Sequence, residues 1–338
     1  MNDEDEEDGK MAGEPWGSWV ASEPRLVVEV EWRPLASDRF QPTNFPNLGP
    51  AAYEVRDGGK GGGVRPMLVV ESPQSMINRL EELSWDGQGQ RPRGPFAGLP
   101  YVEVVGQGGA FLTSSRLEAH RLNGAWLRDS VVADDGRKWI DYLNEEMGLE
   151  AGAPLPWPQI YATLYRLDPF CLVHGVFFAD QKIVGQPKVA RAVTPTMDAE
   201  GARMAPTGGV KKDSVAGGNE EGRGSQEGYG FIPYPRTDFV ADRIVSRFVL
   251  DLEQIRGYGL GREETDVLTA LALWEILAFA SRPRRLRTFC DLEPAAPPRA
   301  TLPQGAELPS VAALEVWAAG HVPQTVASPL RLTYAGKR

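Results

Sequence analysis

The segment 39–50, Arg-Phe-Gln-Pro-Thr-Asn-Phe-Pro-Asn-Leu-Gly-Pro, combines hydrogen-bond donors with three prolines. The prolines fix φ and keep the residues before them out of the helical region, so we expect an extended, rigid loop. Arg39, Gln41, Thr43 and Asn44 offer hydrogen-bond donors along it. Composition alone favours the ordinary alternative, a proline-rich surface loop with its two phenylalanines in the core.

Two other groups of side chains could act on a phosphate. His120 lies close to Arg116 and Arg121 and could transfer a proton there, although a helix with a polar face is the simpler interpretation. Lys211 and Lys212 follow a Gly-Gly-Val sequence, and on such a pliable loop their ammonium groups could reach a polyanion. From composition alone, this glycine-rich stretch fits a disordered insertion equally well.

The common signatures of enzymes and metal sites are absent from the sequence. There is no Gly-x-x-x-x-Gly-Lys-Ser/Thr loop, no His-Glu-x-x-His motif and no Gly-x-Ser-x-Gly elbow. Gly106 and Gly108 lack the third glycine and the immediate helix of a dinucleotide site. The three histidines lack the neighbouring ligands that a metal ion needs. The sequence therefore predicts neither a cofactor nor a metal site.

Composition indicates a globular protein of a reducing compartment. At 338 residues and 42% apolar content, the chain could form one large domain or two ordinary ones. Cys171 and Cys290 make no disulfide framework, and the acidic start lacks a secretory signal. The most apolar run, 267–280, is short and contains Glu275, so it predicts a buried helix rather than a membrane span. We therefore expect a cytoplasmic protein without membrane contact.

The net charge of −10 argues against a protein that binds nucleic acid through bulk electrostatics. The six acids at 3–8 supply −6 of this charge, and such a block is most simply a solvated tail. Arginines are clustered at 236–262 and at 282–287. An acidic chain is therefore compatible with local basic patches.

Periodicity predicts the elements that would position these residues. Strands are predicted at 25–33, 67–70, 101–105, 170–178, 188–193, 243–252 and 284–292. Helices are predicted to begin at Ser72, with Pro73 at the first helical position, and at Ser115, where Ser-x-x-Glu makes a capping box. Further helices are predicted at 136–148, 157–167 and 263–280, a flexible turn at 57–63 and a glycine-rich excursion at 201–230. This order is compatible with an α+β fold, a ferredoxin-like βαββαβ core of the RNA-recognition type with large insertions.

Five ordered segments resemble the signature segments of one protein family. They are 39–49, 70–81, 114–121, 208–213 and 228–236, and they span most of 25–290. The family is the backbone subunit of type I CRISPR effector complexes of the G subtype, formerly called U. Its members are repeat-associated mysterious proteins (RAMPs) with an RNA-recognition core. The first 20 residues and the proline-rich end match nothing, and 181–228 aligns only through its Lys-Lys turn.

The resemblance implies a non-catalytic scaffold of the CRISPR interference complex, Cascade. Several copies would stack along one CRISPR RNA, grip its backbone and present its bases to target DNA, so that guide pairing supplies the sequence specificity. The expected partners are CRISPR RNA, target DNA, further copies of this chain, the large subunit and the RNA-processing, end-capping subunit. Head-to-tail stacking would let an acidic surface meet a neighbour's arginines, which would reconcile the net charge with RNA.

The resemblance also implies a domain plan and a set of RNA contacts. The plan is an acidic disordered tail at 1–20, a RAMP core at 21–292 and a proline-rich extension at 293–338, with a helical insertion at about 114–168 and, at about 195–232, a thumb-like hairpin that kinks the guide. The expected contacts are Arg39, Gln41, Thr43, Asn44, Gln74, Ser75, Asn78, Arg116, His120 and Arg121, with Lys211 and Lys212 on the thumb. Two alternatives stay open: an endoribonuclease of the same fold that uses His120, and an interaction protein of this fold that binds no RNA.

Overall fold

The computed structural model describes residues 14–45, 47–56, 62–212 and 231–336. The strands are β1 (Arg25–Pro34), β2 (Asn44–Phe45), β3 (Gly49–Pro50), β4 (Ala52–Arg56), β5 (Val64–Glu71), β6 (Trp85–Asp86), β7 (Arg91–Pro92), β8 (Val102–Val105), β9 (Phe111–Ser114), β10 (Ser130–Val132), β11 (Val176–Phe177), β12 (Lys188–Val189), β13 (Val193–Glu200), β14 (Arg203–Lys212), β15 (Phe231–Val240), β16 (Arg243–Asp251), β17 (Arg284–Arg287), β18 (Cys290–Pro294), β19 (Arg299–Leu302) and β20 (Leu330–Tyr334). The helices are α1 (Trp19–Ser22), α2 (Pro73–Glu81), α3 (Ala125–Arg128), α4 (Trp139–Glu146), α5 (Trp157–Leu167), α6 (Phe170–His174), α7 (Leu252–Gly257), α8 (Arg262–Ala280) and α9 (Val311–His321). The chain is a mixed α+β protein.

An antiparallel sheet of eight strands forms the centre of the molecule. Its order is β17-β18-β1-β16-β13-β5-β4, and β19 also pairs with β1. The alternation predicted for the first strand is confirmed, because Leu26, Val28, Val30 and Trp32 are all buried on one face. Phe279 of α8 packs edge-on against Trp32 with ring centroids 5.6 Å apart, so α8 covers this face. The opposite face carries a group of charged side chains, among them Glu29 and Glu31 of β1 and Arg247 of β16.

Helix α8 is the buried helix predicted at 263–280. Its residues from Val267 to Leu277 are all buried, and it packs against α2, α6, α7 and α9. A helix that is apolar around its circumference needs partners on every side. Helix α9 supplies one of them and carries Glu315, whose carboxylate accepts a hydrogen bond from the Trp274 indole at 3.2 Å.

A second sheet of four strands, in the order β10-β20-β8-β9, joins the C-terminal region to the middle of the chain. Strand β20 lies between β10 and β8 and runs parallel to β8, with Leu332 opposite Val104. Trp317 of α9 packs against Trp16, with ring centroids 5.2 Å apart. The predicted extension at 293–338 is therefore part of the fold as far as residue 336, since it supplies β19 to the central sheet and β20 to the second one. Of the predicted acidic tail, residues 1–13 lie outside the described residues.

The prediction of a helix that begins at Ser115 is wrong. Turns take its place and lead into a short 3₁₀ helix at Arg121–Asn123. The Ser115 hydroxyl accepts a hydrogen bond from the Val102 amide of β8 at 3.1 Å, and the Glu118 carboxylate accepts one from the Thr113 hydroxyl at 2.9 Å. Both side chains of the predicted capping box thus fasten the turn to the second sheet, which competes with helix capping.

Two predicted strands are also wrong. At 170–178 the chain forms α6 and then β11: the Phe170 amide donates to the Asp168 carboxylate at 3.1 Å, and Gly175 ends the helix at φ +78°. A short apolar run fits a helix or a strand equally well, so periodicity does not separate them. At 284–292 the single predicted strand is the hairpin of β17 and β18.

A second hairpin, β14 and β15, is inserted between β13 and β16 and forms a sheet of its own. Its strands pair over their full length of 10 residues, and the segment 213–230 between them lies outside the described residues. The insertion predicted at 195–232 is shifted, because β13 runs in the central sheet to Glu200 and β15 continues to Val240. The helices predicted in the other insertion are confirmed as α4 and α5.

Candidate nucleic-acid interface

The loop 39–50 is fixed at the base of the β14–β15 hairpin. Phe40 is buried and exchanges two backbone hydrogen bonds with Phe239 of β15, with N–O distances of 2.9 and 3.0 Å. The Thr43 amide donates to the Val70 carbonyl of β5 at 3.2 Å. The loop therefore bridges the hairpin and the central sheet, which agrees with the fixed conformation predicted from its prolines.

Gln41 is tied into this base by both its backbone and its side chain. Its amide N–H donates to the Phe289 carbonyl at 2.9 Å, and its own carbonyl accepts from Arg287 at 3.0 Å. Its side-chain amide donates to the Thr237 carbonyl at 2.8 Å and to the Asp238 carboxylate. The donors that the sequence assigned to RNA are thus already engaged within the protein at this residue.

Arg39 belongs to a small group of charges around Asp238, which is buried. Arg236 donates to this carboxylate at 2.6 Å, and Arg39 lies 3.7 Å from it while donating to Thr207 at 3.1 Å. The Arg236 guanidinium lies over the Phe289 ring, 4.0 Å from its centroid, and Arg39 approaches the same ring at 5.8 Å. Two arginines share one carboxylate, so this loop cluster, Arg39, Arg236, Asp238 and Phe289, keeps one positive charge in excess.

Helix α2 begins as the sequence predicts. The Ser72 hydroxyl accepts from the Ser75 amide at 3.3 Å, and the exposed side chains of Gln74 and Asn78 lie one turn apart with a hydrogen bond of 3.0 Å. The Gln74 carbonyl oxygen also accepts a hydrogen bond from Arg191. Because Val70, two residues before the cap, receives the loop, this helix end and the loop cluster belong to one continuous surface.

Next to Gln74 an open cleft of about 640 Å³ contains the exposed His120. Its other polar lining residues include Lys188 and Arg191, with Arg121, His174 and Thr194, and none of its described lining residues is acidic. Burial and the charge of Arg121 lower the pKa of Arg191, the direction expected where positive charges are close together. We call this the basic cleft, defined by Gln74, His120, Lys188 and Arg191.

Lys188 and Arg191 were missed by sequence reasoning. Lys188 stands opposite Phe177 where β11 pairs with β12, and its ammonium group lies 5.5 Å from that ring. No motif marks either residue, since the cleft forms only when segments far apart in the chain meet. A basic residue paired across strands with an exposed aromatic ring is a signal that needs the strand register first.

The other two predicted arginines lie inside the protein, not on a helix face. Arg116 pairs with the fully buried Asp168 at 2.8 Å and stacks on the Phe170 ring at 3.4 Å. Arg121 pairs with Glu81 of α2 at 2.9 Å. A buried guanidinium needs a carboxylate, so each of these arginines is held by an acid within the protein, although Arg121 also lines the basic cleft. They fasten the His120 turn to the core.

Lys211 and Lys212 lie at the far end of β14, where their backbone pairs with Ile232 and Phe231 of β15. The hairpin ladder separates them from the loop cluster at its base. Apart from the buried Arg116, the predicted contacts thus fall into two places: the loop with the start of α2 and the basic cleft, and the far end of the hairpin.

The charged face of the central sheet is arranged differently. Glu29 and Glu31 of β1 and Glu200 of β13 are bridged by Arg243 and Arg247 of β16, with Arg247 at 3.0 Å from both Glu29 and Glu200. Arg65 and Arg299 add further pairs. Burial raises the pKa of Glu29, but the hydrogen bond from Arg299 and the charges of Arg247 and Arg243 outweigh it, so this pKa is lowered. We call these seven residues the paired face.

The profile of one family, CRISPR-associated protein GSU0053, matches residues 26–204 of the chain. The chain belongs to this family. The matched region of this GSU0053-family protein runs from β1 to the start of β14, and it contains the loop, the start of α2 and the whole basic cleft. The sequence-based identification of the chain as a CRISPR-associated protein is therefore confirmed.

A solved structure described as a CRISPR RNA-guided surveillance complex, pre-nicking, contains a chain with 14% identity to the GSU0053-family protein. The alignment covers 75% of this chain and 69% of that one, with a TM-score of 0.37. The curated proteins contain no match. Within the described ranges, no helix is long and apolar enough to cross a membrane, and no cluster of three His, Cys, Asp or Glu side chains could hold a metal ion.

Proposed function

We propose that this GSU0053-family protein is the backbone subunit of a type I-G CRISPR interference complex. In stacked copies it holds CRISPR RNA by the sugar-phosphate backbone and presents the bases to target DNA, as a non-catalytic scaffold in the cytoplasm. The observation that carries the proposal is the basic cleft, where His120, Lys188 and Arg191 meet without a lining carboxylate in a chain of net charge −10. Such a concentration of positive charge in an acidic protein favours a polyanion.

The connectivity of the central sheet supports a ferredoxin-like core. Strands β1, β13, β16 and β18 follow one another in the chain, with α2 after β1 and α8 after β16, and in the sheet they stand in the order β18-β1-β16-β13. That is the 4-1-3-2 order of a βαββαβ unit, with β4 and β5 as an added hairpin at one edge. This order supports a core of the RAMP type, whose insertions would build the second sheet and the long hairpin.

The guide surface consists of the loop residues 39–44 with the neighbouring Arg236, the start of α2 and the basic cleft. Its members are Arg39, Gln41, Thr43, Asn44, Gln74, Ser75, Asn78 and His120, joined by Lys188, Arg191 and Arg236. Guanidinium forks and side-chain amides suit phosphate and ribose oxygens of any sequence, so the grip is sequence-neutral. Arg116 and Arg121 position this surface from within.

The β14–β15 hairpin takes the part of the thumb. A paired ribbon that leaves the central sheet and carries Lys211 and Lys212 near its far end suits an arm that reaches along the guide. The same subunit contacts further copies of itself, the large subunit and the RNA-processing, end-capping subunit. In this arrangement the paired face does not serve as a base-stacking platform, since β1 and β16 present Glu and Arg there rather than aromatic rings.

The test is a double variant, Lys188→Ala with Arg191→Ala, expressed together with a CRISPR array. We expect wild-type protein to retain RNA of one discrete length and the variant to release it at lower salt, with a salt slope smaller by roughly two because two phosphate contacts are lost. The matched control, Lys182→Ala with Arg56→Ala, removes one exposed lysine and one exposed arginine outside the cleft. Equal RNA retention by the variant and the control would contradict the guide surface.

The same preparations address catalysis. Incubation of wild-type protein with repeat RNA should leave the RNA intact. A cleavage product that disappears in His120→Ala would replace the scaffold by the endoribonuclease alternative, in which the exposed His120 of the basic cleft acts as the acid or base.

A further inference from the structure

A second basic cavity lies at the other end of α2, one helix length away from the guide surface. It has a volume of about 210 Å³ and is bounded by the last turns of α2 and α8 and by β17. Its charged walls are Arg79, Arg93, Arg284, Arg285 and Glu82, and we call it the arginine pocket. Four cations against one carboxylate is a clear excess of positive charge.

The deepest guanidinium, Arg284, is held in place by backbone rather than by an acid. Its Nε donates to the Phe279 carbonyl at 2.8 Å and its Nη2 to the Ala278 carbonyl, both in the last turn of α8. It also lies over the Phe279 ring, 4.8 Å from the centroid. Carbonyls at a helix C-terminus favour a cation but carry only a partial charge, so Arg284 stays a fixed, largely uncompensated cation.

Arg93 is fixed in the same way on the opposite wall. Its Nε donates to the Leu83 carbonyl at 3.1 Å and its Nη2 to the Glu82 carbonyl at 3.2 Å. Within the described chain, the Nη1 groups of Arg93 and Arg284 have no hydrogen-bond partner. Both guanidiniums are thus oriented in advance, with donors still available, and this lowers the entropic cost of holding an anion.

The charges around the pocket do not cancel. Arg79 shares the Glu71 carboxylate, 2.9 Å away, with Arg287 at 2.8 Å, and Glu82 is the single acid that lines the pocket beside Arg93, Arg284 and Arg285. Burial and the nearby Arg282 lower the pKa of Arg284 to about 10, whereas the charge of Glu82 acts in the other direction. A bound anion would restore the balance that the protein itself does not supply.

We propose that the arginine pocket binds a phosphodiester of a nucleic-acid strand other than the guide. Its volume suits a phosphate group, and its one aromatic ring, Phe279, is buried beneath Arg284, so no ring is left to stack a base. The exposed Arg282 and Arg285 extend the positive surface past the rim, where the next phosphates of a polymer would lie. A polymer is therefore favoured over a free phosphate ion.

The test uses the GSU0053-family protein with its co-purified RNA and a labelled 12-nucleotide strand that does not pair with that RNA. One arm uses oligothymidine DNA and the other oligouridine RNA, so the two sources of the phosphodiester are compared directly; fluorescence anisotropy is followed over a salt series. We expect Arg282→Ala with Arg285→Ala to weaken binding of whichever strand the wild-type protein binds more tightly about tenfold, and to lower the salt slope by roughly two. Neither side chain makes a hydrogen bond or ion pair in the described chain, so the fold should be kept.

Two further variants make the outcome decisive. Arg33→Ala with Arg262→Ala removes the same total charge from surface ion pairs elsewhere and should have little effect. Glu82→Gln removes the opposing acid and should tighten binding about threefold, since it takes away a repulsive charge. Equal losses in both arginine pairs, or no gain in Glu82→Gln, would overturn the pocket.

The site is also separable from the guide surface. In the Lys188→Ala, Arg191→Ala background the protein is expected to lose guide RNA but keep the response to Arg282→Ala with Arg285→Ala. Loss of that response would make the pocket an extension of the guide surface and overturn the proposal. Stabilisation by inorganic phosphate alone, equal to that by either strand in a thermal-shift experiment, would also overturn it, by making the pocket a site for a free ion.

Discussion

The paired face and the basic cleft use the same residue types in opposite ways. On the paired face, Arg243 and Arg247 bridge three carboxylates, so the positive charge is consumed within the protein. In the basic cleft, Lys188 and Arg191 line a cavity that has no acidic residue among its described lining residues. The number of arginines on a surface therefore says little about its ligand, and the number of carboxylates within reach of them decides it.

The largest effect is expected for a buried ion pair, because a buried charge that loses its partner is not solvated by water. Asp168→Ala leaves the buried Arg116 without its carboxylate and should destabilise the fold by about 3–5 kcal/mol. Urea denaturation measures this loss. Asp134→Ala, the removal of an exposed aspartate nearby in sequence, should change the free energy of unfolding by less than about 0.5 kcal/mol. Similar values for the two variants would show that the pair is not a structural anchor.

The loop cluster tests a surface on which two arginines share one carboxylate. Arg39→Ala should cost roughly 1–3 kcal/mol of RNA binding per protomer if its guanidinium forks onto a phosphate. Arg33→Ala serves as the control because Arg33 pairs with Glu293 at 2.8 Å. Filter binding at fixed salt distinguishes them, and unchanged RNA occupancy in Arg39→Ala would remove this residue from the guide surface.

The buried residues Glu275 and His174 provide a third environment, in which burial rather than the charge of a partner determines the pKa. Burial raises the pKa of Glu275 to about 8 although the charges of Arg116 and Arg121 act against it, and it lowers the pKa of His174, 2.8 Å away, to about 3. The folded protein therefore keeps a proton on Glu275 where the unfolded chain has lost it. Its free energy of unfolding should fall as pH rises from about 6.5 to 8, by about 2 kcal/mol.

Glu275→Gln should abolish that fall, since the amide does not titrate. The opposite slope from His174 is confined to pH below its usual pKa of about 6.5, so it does not interfere in this window. Thermal unfolding at several pH values measures the slope. Glu263→Gln on the exposed first turn of the same helix should leave the slope of the wild type intact, and an unchanged slope in Glu275→Gln would contradict the assignment.

The smallest effect is expected for a substitution that makes the paired face more similar to the basic cleft. Glu200→Gln removes the carboxylate that Arg65 reaches at 2.6 Å and Arg247 at 3.0 Å, and should cost about 1 kcal/mol of stability. It should also raise the net charge of the paired face from +1, four arginines against three glutamates, to +2, and give this face a weak, salt-sensitive affinity for single strands of any sequence. Glu31→Gln, at the exposed edge of the same network, should show a weaker form of both changes. No gain of binding in Glu200→Gln would mean that charge balance does not separate the two regions.

Local patterns predicted much of the fold. The alternation of β1 and the cap of α2 at Ser72 were readable because each depends on a few neighbouring residues. Helix α8 was readable from its apolar length. The hairpin of β14 and β15 was not, since glycines and prolines in its strands mask the period of two and its partners lie on either side of 213–230.

The candidate site was predictable only in part, for the same reason. The loop and the start of α2 were found from donors on a rigid segment, and the structure places them next to each other. Arg116 and Arg121 were assigned to the surface because their carboxylate partners, Asp168 and Glu81, are remote in sequence. Lys188 and Arg191 were overlooked because a cleft without acids is a property of the assembled surface rather than of any segment.

Strand β20 has a consequence for how the molecule is made. It fills the centre of the second sheet, between β10 and β8, and pairs parallel with a strand synthesised long before it. During synthesis on the ribosome, the edges of β8 and β10 that pair with β20 therefore stay unpaired until the chain around Leu330 emerges. The strands from β1 to β16 can form the middle of the central sheet earlier. The second sheet is thus completed late in biosynthesis, and before β20 is synthesised its exposed strand edges are accessible to a chaperone.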